Sequence, residues 1–394
     1  MSYNNNKKIC FVGAGTMGCY NALVAALAGY KAVLNDRDAD CLKRVPVTLA
    51  AIAEQLAPYR GLSNDQIASA LNSISTEFDL VVALAGSVLV SESIQESLTV
   101  KQLVHGELDK LCDENIIITT NTSTLLPSDI ESTITNRSRF AAMHSYLASP
   151  LVDIVGGSET SRATIEALVS YVDSLGGVPL VMKQEYPGYG LNALLGPLLG
   201  MSLGLVLAGD HSVESIDRAW IYKLKAPMGP FGMMDLFGLD MVCDSWRNRH
   251  SKNPDDALAT NVIAYFDSLF SAGKLGMKSG RGFYDYPAPA YATKGFAVVD
   301  QQTEMLFSLL MVTVSASACL LVLREIMTIS EVDMCWTVGT GLGLAPFDYI
   351  RQQGSMNFLV RLRGFQSAAP LMPIADFNAV VTWLESVPNI NKKG

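Results

Sequence analysis

The sequence has little charge, and the charge that it has is mostly acidic. Charged residues make up 17% of the 394 residues, and 38 acidic against 29 basic side chains leave a formal net charge of −9. An excess of basic residues draws proteins to nucleic acid or to anionic membranes, so the composition predicts neither partner. Apolar residues reach 49%, which excludes general disorder and predicts large buried cores.

Cysteine pairs with the spacing of a metal or redox site are also missing. The seven cysteines are scattered, none forms a C-x-x-C motif, and their number is odd. A disulfide scaffold and a structural zinc site are therefore not expected, and no metal site is predicted. The first residues, M-S-Y-N-N-N-K-K, lack the apolar stretch of a signal peptide, so we expect a reducing, cytoplasmic location.

Two long segments, residues 186–209 and 305–323, contain no charged side chain and have the length of a membrane span. Gly, Ser, Thr or Asn interrupts both of them. Because runs of this kind also occur in the cores of large helical domains, buried helices are the favoured interpretation and no membrane partner is predicted.

Strand and helix patterns alternate over the first half of the chain. Short apolar runs that end at glycine or polar residues predict strands at residues 8–13, 31–35, 87–90, 116–120, 139–143 and 178–182. Such alternation predicts a doubly wound α/β sheet. Beyond Pro187-Gly188 the strand patterns vanish and the periodicity is helical, so a domain boundary near residue 184 follows.

The helical half contains an internal repeat at an offset of 116 residues. Asp217 and Trp220 of the first copy match Asp333 and Trp336 of the second, and Leu, Pro-Phe and Gly positions match at the same offset. A segment rich in Pro and Ala, residues 287–300, is the predicted linker. We therefore predict an α/β domain followed by two all-α domains in tandem, at residues 1–184, 185–290 and 291–394.

Residues 13–18, G-A-G-T-M-G, fit the pattern G-x-G-x-x-G between a predicted strand and a predicted helix, and Asp36 ends the next strand. Gly13 permits a tight turn, Gly15 lets the backbone approach a pyrophosphate at the helix N-terminus, and Gly18 allows close helix–strand packing. An acid at position 36 can accept from a ribose 2′-hydroxyl and repels a 2′-phosphate. The motif predicts a Rossmann-type domain that binds NAD in preference to NADP; a glycine turn without a ligand is the alternative.

Further motifs follow in order along the chain. They are residues 91–96, S-E-S-I-Q-E, with Lys101 downstream; residues 121–123, N-T-S; His144; residues 187–192, P-G-Y-G-L-N; residues 227–231, P-M-G-P-F; and residues 280–286, G-R-G-F-Y-D-Y. Together with the glycine motif they resemble the 3-hydroxyacyl-CoA dehydrogenase family over roughly residues 7–290. The resemblance implies a NAD-dependent oxidoreductase that exchanges a hydride between nicotinamide and a carbon bearing a hydroxyl or keto group.

The resemblance and the glycine motif together assign residues to roles. The cofactor-binding residues expected are Gly13, Gly15, Thr16, Met17, Gly18, Asp36, Glu96, Lys101 and Asn121. The catalytic residues expected are His144, Asp153, Ser123 and Asn192, and the substrate-binding residues are Ser123, Asn192 and Arg60.

The chemistry of the candidate catalytic residues suits these roles. A histidine that titrates near neutrality can take or give the hydroxyl proton, and a carboxylate on its second ring nitrogen fixes the tautomer. Ser123 and Asn192 can hydrogen-bond a substrate oxygen as charge develops. Each assignment has a structural alternative: a satisfied histidine at a strand end, an acid that caps a loop, or a serine and an asparagine that bond local backbone. His105, His211 and His250 have polar neighbours and are expected to be solvated.

The chain departs from the family's pattern after His144. The family has H-x-x-N-P, several residues, and then L-V-E; here the loop is three residues shorter, the Asn-Pro is missing, and the acid is Asp153. Arg60 is the only basic side chain between Arg44 and Lys101, a region that would face coenzyme A. Three functions therefore stay open: an (S)-3-hydroxyacyl-CoA dehydrogenase, an oxidoreductase of a small or carrier-bound 3-hydroxy or 3-oxo acid, and a non-catalytic nucleotide-binding protein.

The resemblance also bears on assembly, because single helical domains of this family dimerise through a helical face. Here the second copy has Ser308 where the first has Asn192, and Arg351 where the first has Asp235, while the apolar positions of the repeat are kept. We expect the second copy to cover the face of the first as an internal pseudo-dimer, which predicts a monomer.

Overall fold

The computed structural model describes residues 7–299, 301–368, 372–387 and 390, which form two compact units. The first unit extends to Gly190 and takes in Val338–Thr340, and the second holds Leu191–Thr337 and the chain from Gly341 onward. The two copies of the helical repeat therefore lie in one unit, the second, apart from Val338–Thr340. The division of the helical half into two domains, with boundaries at residues 184 and 290, stays a prediction.

The first unit contains an eight-stranded sheet in the order β3-β2-β1-β4-β5-β6-β7-β8. All neighbouring strands are parallel except β6 and β7, which pair antiparallel. The strands are β1 (Lys8–Val12), β2 (Lys31–Asn35), β3 (Ile74–Glu77), β4 (Ser87–Glu92), β5 (Ile117–Thr120), β6 (Phe140–Ser145), β7 (Leu151–Gly156) and β8 (Val178–Val181).

Seven helices accompany the strands of this unit. They are α1 (Thr16–Leu27), α2 (Ala39–Arg60), α3 (Asn64–Asn72), α4 (Leu80–Leu84), α5 (Leu98–Leu111), α6 (Pro127–Ile130) and α7 (Arg162–Ser174). The doubly wound α/β fold predicted from the alternating pattern is confirmed.

The sheet is apolar on both faces, as expected for strands that are covered by helices on either side. In β1, Ile9 and Phe11 pack into one core with residues of α1, α2 and α7, whereas Cys10 and Val12 pack into a second core with residues of α4 and α5. In β6, Met143 belongs to the first core and Phe140 to the second. Because side chains alternate along a strand, this places His144 on the face of the second core.

Two strands have no counterpart among the six predicted apolar runs. β3, with the sequence I-S-T-E, has no buried residue and lies at the edge of the sheet, so its composition carries no apolar signal. β7 is buried and contains Asp153. It returns from β6, with which it pairs antiparallel.

Among its described residues, the second unit contains ten α-helices in two sets of five. The first set is α8 (Leu191–Leu207), α9 (Val213–Leu224), α10 (Pro230–Phe237), α11 (Leu239–Lys252) and α12 (Ala257–Ser271); the second is α13 (Thr303–Leu323), α14 (Ile329–Thr340), α15 (Pro346–Gln353), α16 (Ser355–Ala368) and α17 (Ile374–Ser386). Helices α9, α10 and α11 begin and end 116 residues before α14, α15 and α16, which is the offset of the sequence repeat. The last three residues of α14 belong to the first unit.

The same hydrogen bond recurs in both sets. Asp217 of α9 accepts from the N–H of Phe231 at 2.9 Å, and Asp333 of α14 accepts from the N–H of Phe347 at 3.0 Å. Each carboxylate accepts from an N–H in the first turn of the next helix, α10 or α15, where intrahelical partners are lacking. The two matching aspartates thus fix the same helix–helix corner twice.

The two sets pack against each other through α13. This helix lies against α8 and α9, and the rings of Trp220 and Trp336 meet edge to face with centroids 6.2 Å apart. Among the described residues α13 is the one helix long and apolar enough to cross a membrane, and 83% of its apolar window is buried in the fold. The residue that replaces Asn192, Ser308, is buried and bonds to Tyr349 and Arg361.

Removal of the second set of helices should change the association of the protein. A chain that ends at residue 290 loses α13 and exposes the apolar faces of α8 and α9 that α13 covers. Because large exposed apolar faces drive association, we expect dimers or aggregates, measured by size-exclusion chromatography with light scattering beside the full chain. A monodisperse, active monomer from the shortened chain would contradict this expectation.

Candidate active site

The loop between β1 and α1 and the first turn of α1 contain three glycines in different surroundings. A Cβ at Gly18 would lie 1.8 Å from the carbonyl oxygen of Gly13, and one at Gly13, where φ is +101°, would lie 2.5 Å from the carbonyl oxygen of Ser93. Around Gly15, in contrast, no described atom lies within 4 Å of the Cβ position. The first N–H groups of α1, which begins at Thr16, have no intrahelical acceptors. The loop is therefore packed on one side and open to a phosphate group on the other.

Asp36 follows β2 and is bonded to this loop. Its Oδ2 accepts from the N–H of Ala14 at 2.9 Å, and its Oδ1 accepts from the N–H of Asp38 at 2.9 Å. Each oxygen keeps a further lone pair, so the fixed carboxylate can accept from a ribose hydroxyl. The tight turn, the open Gly15 and the oriented acid fit the nucleotide half of NAD.

The N-T-S segment after β5 is organised by one carboxylate oxygen. Oε1 of Glu96 accepts from the N–H groups of Ser123 and Thr124, both at 3.0 Å, and from the hydroxyls of Thr122 at 2.5 Å and Thr124 at 2.9 Å. Burial opposes ionisation of Glu96, but the charge of Lys101 and these hydrogen bonds lower its pKa below the ordinary value. Glu96 thus fixes the backbone that carries Ser123.

Lys101 lies in a buried network centred on Glu92. Its ammonium is 2.7 Å from Glu92 and 3.4 Å from Glu96, and only 1% of its side chain is exposed. Thr120 donates to Oε2 of Glu92 at 2.7 Å, and Nε2 of His105 lies 3.0 Å from the same oxygen. Burial alone would raise the pKa of Glu92, but the His105 hydrogen bond and the Lys101 charge lower it to about 2.

The expectation that His105 is solvated is wrong, because its side chain is fully buried on α5. Its polar sequence neighbours point elsewhere on the helix, and its ring lies edge-on to Phe140 at 5.0 Å. The contact of Lys101 with a cofactor stays a prediction, since the partners of its ammonium shown here are carboxylates and the Ile94 carbonyl.

Asn121 connects the ends of two neighbouring strands. Its Oδ1 accepts from the N–H of Ser145, the last residue of β6, at 2.8 Å, and its own N–H donates to the carbonyl of Glu92 at 2.8 Å. The residue after His144 is therefore held to the segment that carries Ser123. A role of Asn121 in contact with a cofactor stays a prediction.

His144 and Asp153 are opposite residues in the antiparallel pair of β6 and β7. Opposite side chains in such a pair lie on one face about 5 Å apart at Cβ. Here Nδ1 of His144 lies 3.5 Å from Oδ2 of Asp153, and both side chains are buried. This is the histidine–carboxylate contact expected from the sequence, at the long limit of a hydrogen bond.

Two tyrosines surround the histidine, and the sequence analysis missed both. The hydroxyl of Tyr146 donates to Oδ2 of Asp153 at 2.5 Å, and its ring meets the His144 ring edge-on at 4.4 Å. Tyr189 is fully buried, donates its hydroxyl to the Leu125 carbonyl, and has its ring centroid 5.7 Å from that of His144. Tyr146 lies two residues after His144, just beyond the end of β6, and the sequence alone does not state which residue of the next strand it reaches.

Arg60, the last residue of α2, lines a small cavity of about 30 Å³ in the first unit. The cavity also contacts Asn21 of α1 and Ser145, Ser149 and Pro150 of the β6–β7 hairpin. Met143 and Val152, which line the same cavity, lie in the first core, on the sheet face opposite to His144. Contact of Arg60 with a substrate stays a prediction.

Asn192 is the second residue of α8, in the second unit, and its side chain is partly exposed. Its place beside His144 stays a prediction. Of the remaining candidates, the first unit brings His144 and Asp153 together, and it ties the segment of Ser123 to the end of β6 through Asn121.

All seven cysteines are free thiols. Among the residues that the structure describes, no group of three or more His, Cys, Asp or Glu has a metal-binding arrangement.

Comparison with known proteins matches both halves of this architecture. Residues 8–185 match the family model of the 3-hydroxyacyl-CoA dehydrogenase NAD-binding domain, and residues 188–286 match that of the 3-hydroxyacyl-CoA dehydrogenase C-terminal domain. Mitochondrial hydroxyacyl-coenzyme A dehydrogenase from Sus scrofa is 34% identical over 291 residues, which cover 71% of this chain and 91% of that protein.

Solved structures extend the likeness. A diketoreductase that acts on dicarbonyl compounds is 28% identical with a TM-score of 0.64, over 71% of this chain and 99% of its own. The 3-hydroxybutyryl-CoA dehydrogenase of Escherichia coli covers 96% of this chain and 99% of its own with a TM-score of 0.77; at 19% identity it shows the fold alone. That fold includes the second set of helices, which lies beyond the two matched family domains. The chain belongs to the 3-hydroxyacyl-CoA dehydrogenase family of NAD-dependent oxidoreductases.

Proposed function

We propose that the protein interconverts a 3-hydroxyacyl and a 3-oxoacyl group carried as a coenzyme A thioester, with NAD as cofactor. The observation that carries this proposal is the His144–Asp153 pair on strands of a sheet whose first loop is shaped for a dinucleotide. Family membership and the relative from Sus scrofa, named a hydroxyacyl-coenzyme A dehydrogenase, support it.

The residues of the first unit divide the work of the reaction. Nε2 of His144 takes the hydroxyl proton as the carbon–oxygen double bond forms, and returns it in the reverse direction. Asp153 faces the other ring nitrogen, Nδ1, and stabilises the imidazolium that results. NAD, when bound, would supply the hydride acceptor, so that the substrate would lose one hydride and one proton in total.

Two polar side chains complete the proposed site. Ser123, on the segment held by Glu96, donates its hydroxyl to the substrate oxygen, and Asn192 of α8 donates its amide to the same oxygen. Around the cofactor, Gly13, Gly15, Thr16, Met17 and Gly18 hold the pyrophosphate and Asp36 holds the ribose. These roles follow the family's motifs in this sequence.

A second candidate substrate is a small 3-oxo or 3-hydroxy acid without coenzyme A. The β6–β7 loop is short, Arg60 is the only basic residue between Arg44 and Lys101, and the structurally similar diketoreductase acts on dicarbonyl compounds. A single guanidinium offers one attachment point to the phosphates of coenzyme A, but it is enough to bind one carboxylate.

The two candidates differ in a direct assay. NADH oxidation with acetoacetyl-CoA should exceed that with acetoacetate or other small keto acids by at least about 10-fold in kcat/KM, because the remote binding energy of the thioester carrier adds to transition-state binding. Equal or higher kcat/KM with the free acids would favour the second candidate. No turnover with any keto substrate would favour a nucleotide-binding protein without catalysis.

Replacement of the histidine tests the chemistry. His144→Ala should lower turnover by about 10² to 10⁴, the usual contribution of general acid–base catalysis, while NADH binding measured by fluorescence stays unchanged. His211→Ala, in the second unit, is the control and should keep full turnover. Near-normal activity of the His144 variant would remove this residue from the mechanism.

The carboxylate after β2 should set the cofactor preference. We expect NADH to exceed NADPH by at least about 10-fold in kcat/KM, because a 2′-phosphate beside Asp36 places like charges together. Asp36→Asn keeps the size of the side chain and removes its repulsion of the 2′-phosphate. This variant should therefore lower the ratio of kcat/KM with NADH to kcat/KM with NADPH. Equal use of both cofactors by the unaltered protein would mean that Arg37 or another base accepts the phosphate.

For assembly and location we infer a monomer in a reducing compartment, the cytosol. The packing of α13 on α8 and α9 supports the first inference, because it covers an apolar face within one chain. The seven free thiols support the second.

A further inference from the structure

The Asp153 carboxylate is shared by two side chains of the preceding strand and its loop. Oδ2 accepts from the hydroxyl of Tyr146 at 2.5 Å and lies 3.5 Å from Nδ1 of His144. Oδ1 is buried and has no hydrogen-bond partner among the described residues. The short bond of the carboxylate is therefore to the phenol and the long contact is to the imidazole.

The geometry of the hairpin explains this division. His144 and Asp153 are opposite in register, and Tyr146 is two residues further along, on the same face and diagonal to Asp153. An aspartate is one methylene shorter than a glutamate, so from its position on β7 it meets the imidazole only at 3.5 Å. The long tyrosine side chain spans the diagonal and reaches the same oxygen.

A buried carboxylate needs donors, because an ionised group without them loses its hydration uncompensated. Asp153 is fully buried, and the phenol of Tyr146 is the donor nearest to it. The Tyr146 ring also lies edge-on against the His144 ring, at a centroid distance of 4.4 Å and an angle of 75°. Tyr146 thus contacts both members of the pair, one by a hydrogen bond and the other by ring packing.

We propose that Tyr146 is a positioning residue for the His144–Asp153 pair: its hydroxyl holds the short carboxylate in line with Nδ1, and its ring limits rotation of the imidazole. This inference rests on the proposed function, in which His144 exchanges a proton with the substrate. By taking part of the carboxylate's charge, the phenol also weakens the attraction between Asp153 and an imidazolium at His144.

Three titratable side chains lie around His144 in the described part of the first unit. Asp153 on β7 and Tyr146 on the hairpin contact the imidazole, and Tyr189, before α8, lies beyond them at 5.7 Å. Burial, and then the charges of Glu96 and Asp153, raise the pKa of Tyr189 well above its ordinary value, so it stays neutral through the working range. A change in the pH profile after alteration of Tyr146 therefore reports on the pair itself.

Tyr146→Phe tests the inference, because it keeps the ring and removes the hydroxyl. We expect kcat to fall about 10-fold, the value of one hydrogen bond to a charged group, with KM for substrate and NADH within about twofold of the unaltered protein. In the direction of hydroxyl oxidation, the acid limb of the kcat/KM profile should move to higher pH, because the undivided carboxylate charge holds the imidazolium more strongly. Tyr59→Phe, an exposed tyrosine on α2, is the matched control and should change neither quantity.

A rescue variant distinguishes two roles of the Tyr146 hydroxyl: positioning of the Asp153 carboxylate and direct participation in proton transfer. Asp153→Glu added to Tyr146→Phe lengthens the acid by one methylene, so the carboxylate can reach Nδ1 unaided. We expect this double variant to recover kcat to within about threefold of the unaltered protein. Failure of the longer acid to recover turnover would overturn the positioning role.

The remaining outcomes distinguish this inference from the function on which it rests. If His144→Ala abolishes turnover but Tyr146→Phe changes neither kcat nor the pH profile, the inference is overturned and the function stands. If the unaltered protein turns over no keto substrate, the proposed function fails, and the imidazole NMR titration of labelled His144 still decides the inference. If Tyr146→Phe leaves the midpoint of the His144 titration unchanged, the inference is overturned. If the midpoint moves to higher pH, the inference is supported.

Discussion

The candidate active site depends on one buried carboxylate, that of Glu92 at the end of β4. Placing an ionised carboxyl in a protein interior costs several kcal/mol unless charged and hydrogen-bonded partners surround it. Glu92 has them: the ammonium of Lys101, the imidazole of His105, the hydroxyl of Thr120 and the N–H of Ile94. These partners come from β5, α5 and the segment between β4 and α5. The charge of Glu92 therefore holds these three parts of the first unit to the end of β4. Lys101 also contacts Glu96, so the charge that neutralises Glu92 helps to keep Glu96 ionised over the N-T-S segment.

Sequence patterns predicted what local composition encodes and missed what the tertiary structure decides. The apolar strands, the glycine loop and Asp36 follow from short-range patterns, and the fold class followed from them. The edge strand β3 was missed because its sequence is polar and none of its residues is buried. His105 was wrongly expected to be solvated because its buried hydrogen-bond partner, Glu92, lies 13 residues earlier on another element. Tyr146 was missed for the same reason: its role depends on a partner across a hairpin, whose register the sequence does not state.

The second set of helices has kept the packing of the first and has replaced two of its polar residues, Asn192 and Asp235. Asp217 and Asp333 make equivalent bonds, and Trp220 and Trp336 meet at the contact between the sets. Where the first copy has Asn192, however, Ser308 is buried and bonded to its neighbours within the unit. Apolar positions are retained because each set covers the other, whereas a polar residue in a covered position is kept only if it finds an internal partner.

The hairpin of β6 and β7 keeps the candidate pair, His144 and Asp153, together although its loop departs from the family's pattern. In an antiparallel pair the register, and not the length of the loop, decides which residues are opposite, so His144 stays opposite Asp153 with three residues fewer than the family pattern. The shortening falls on residues 146–150, where Ala148 adopts a left-handed conformation with φ of +60° and Leu147 is exposed. The strands hold His144 opposite Asp153, and the loop between them can change in length without altering that register.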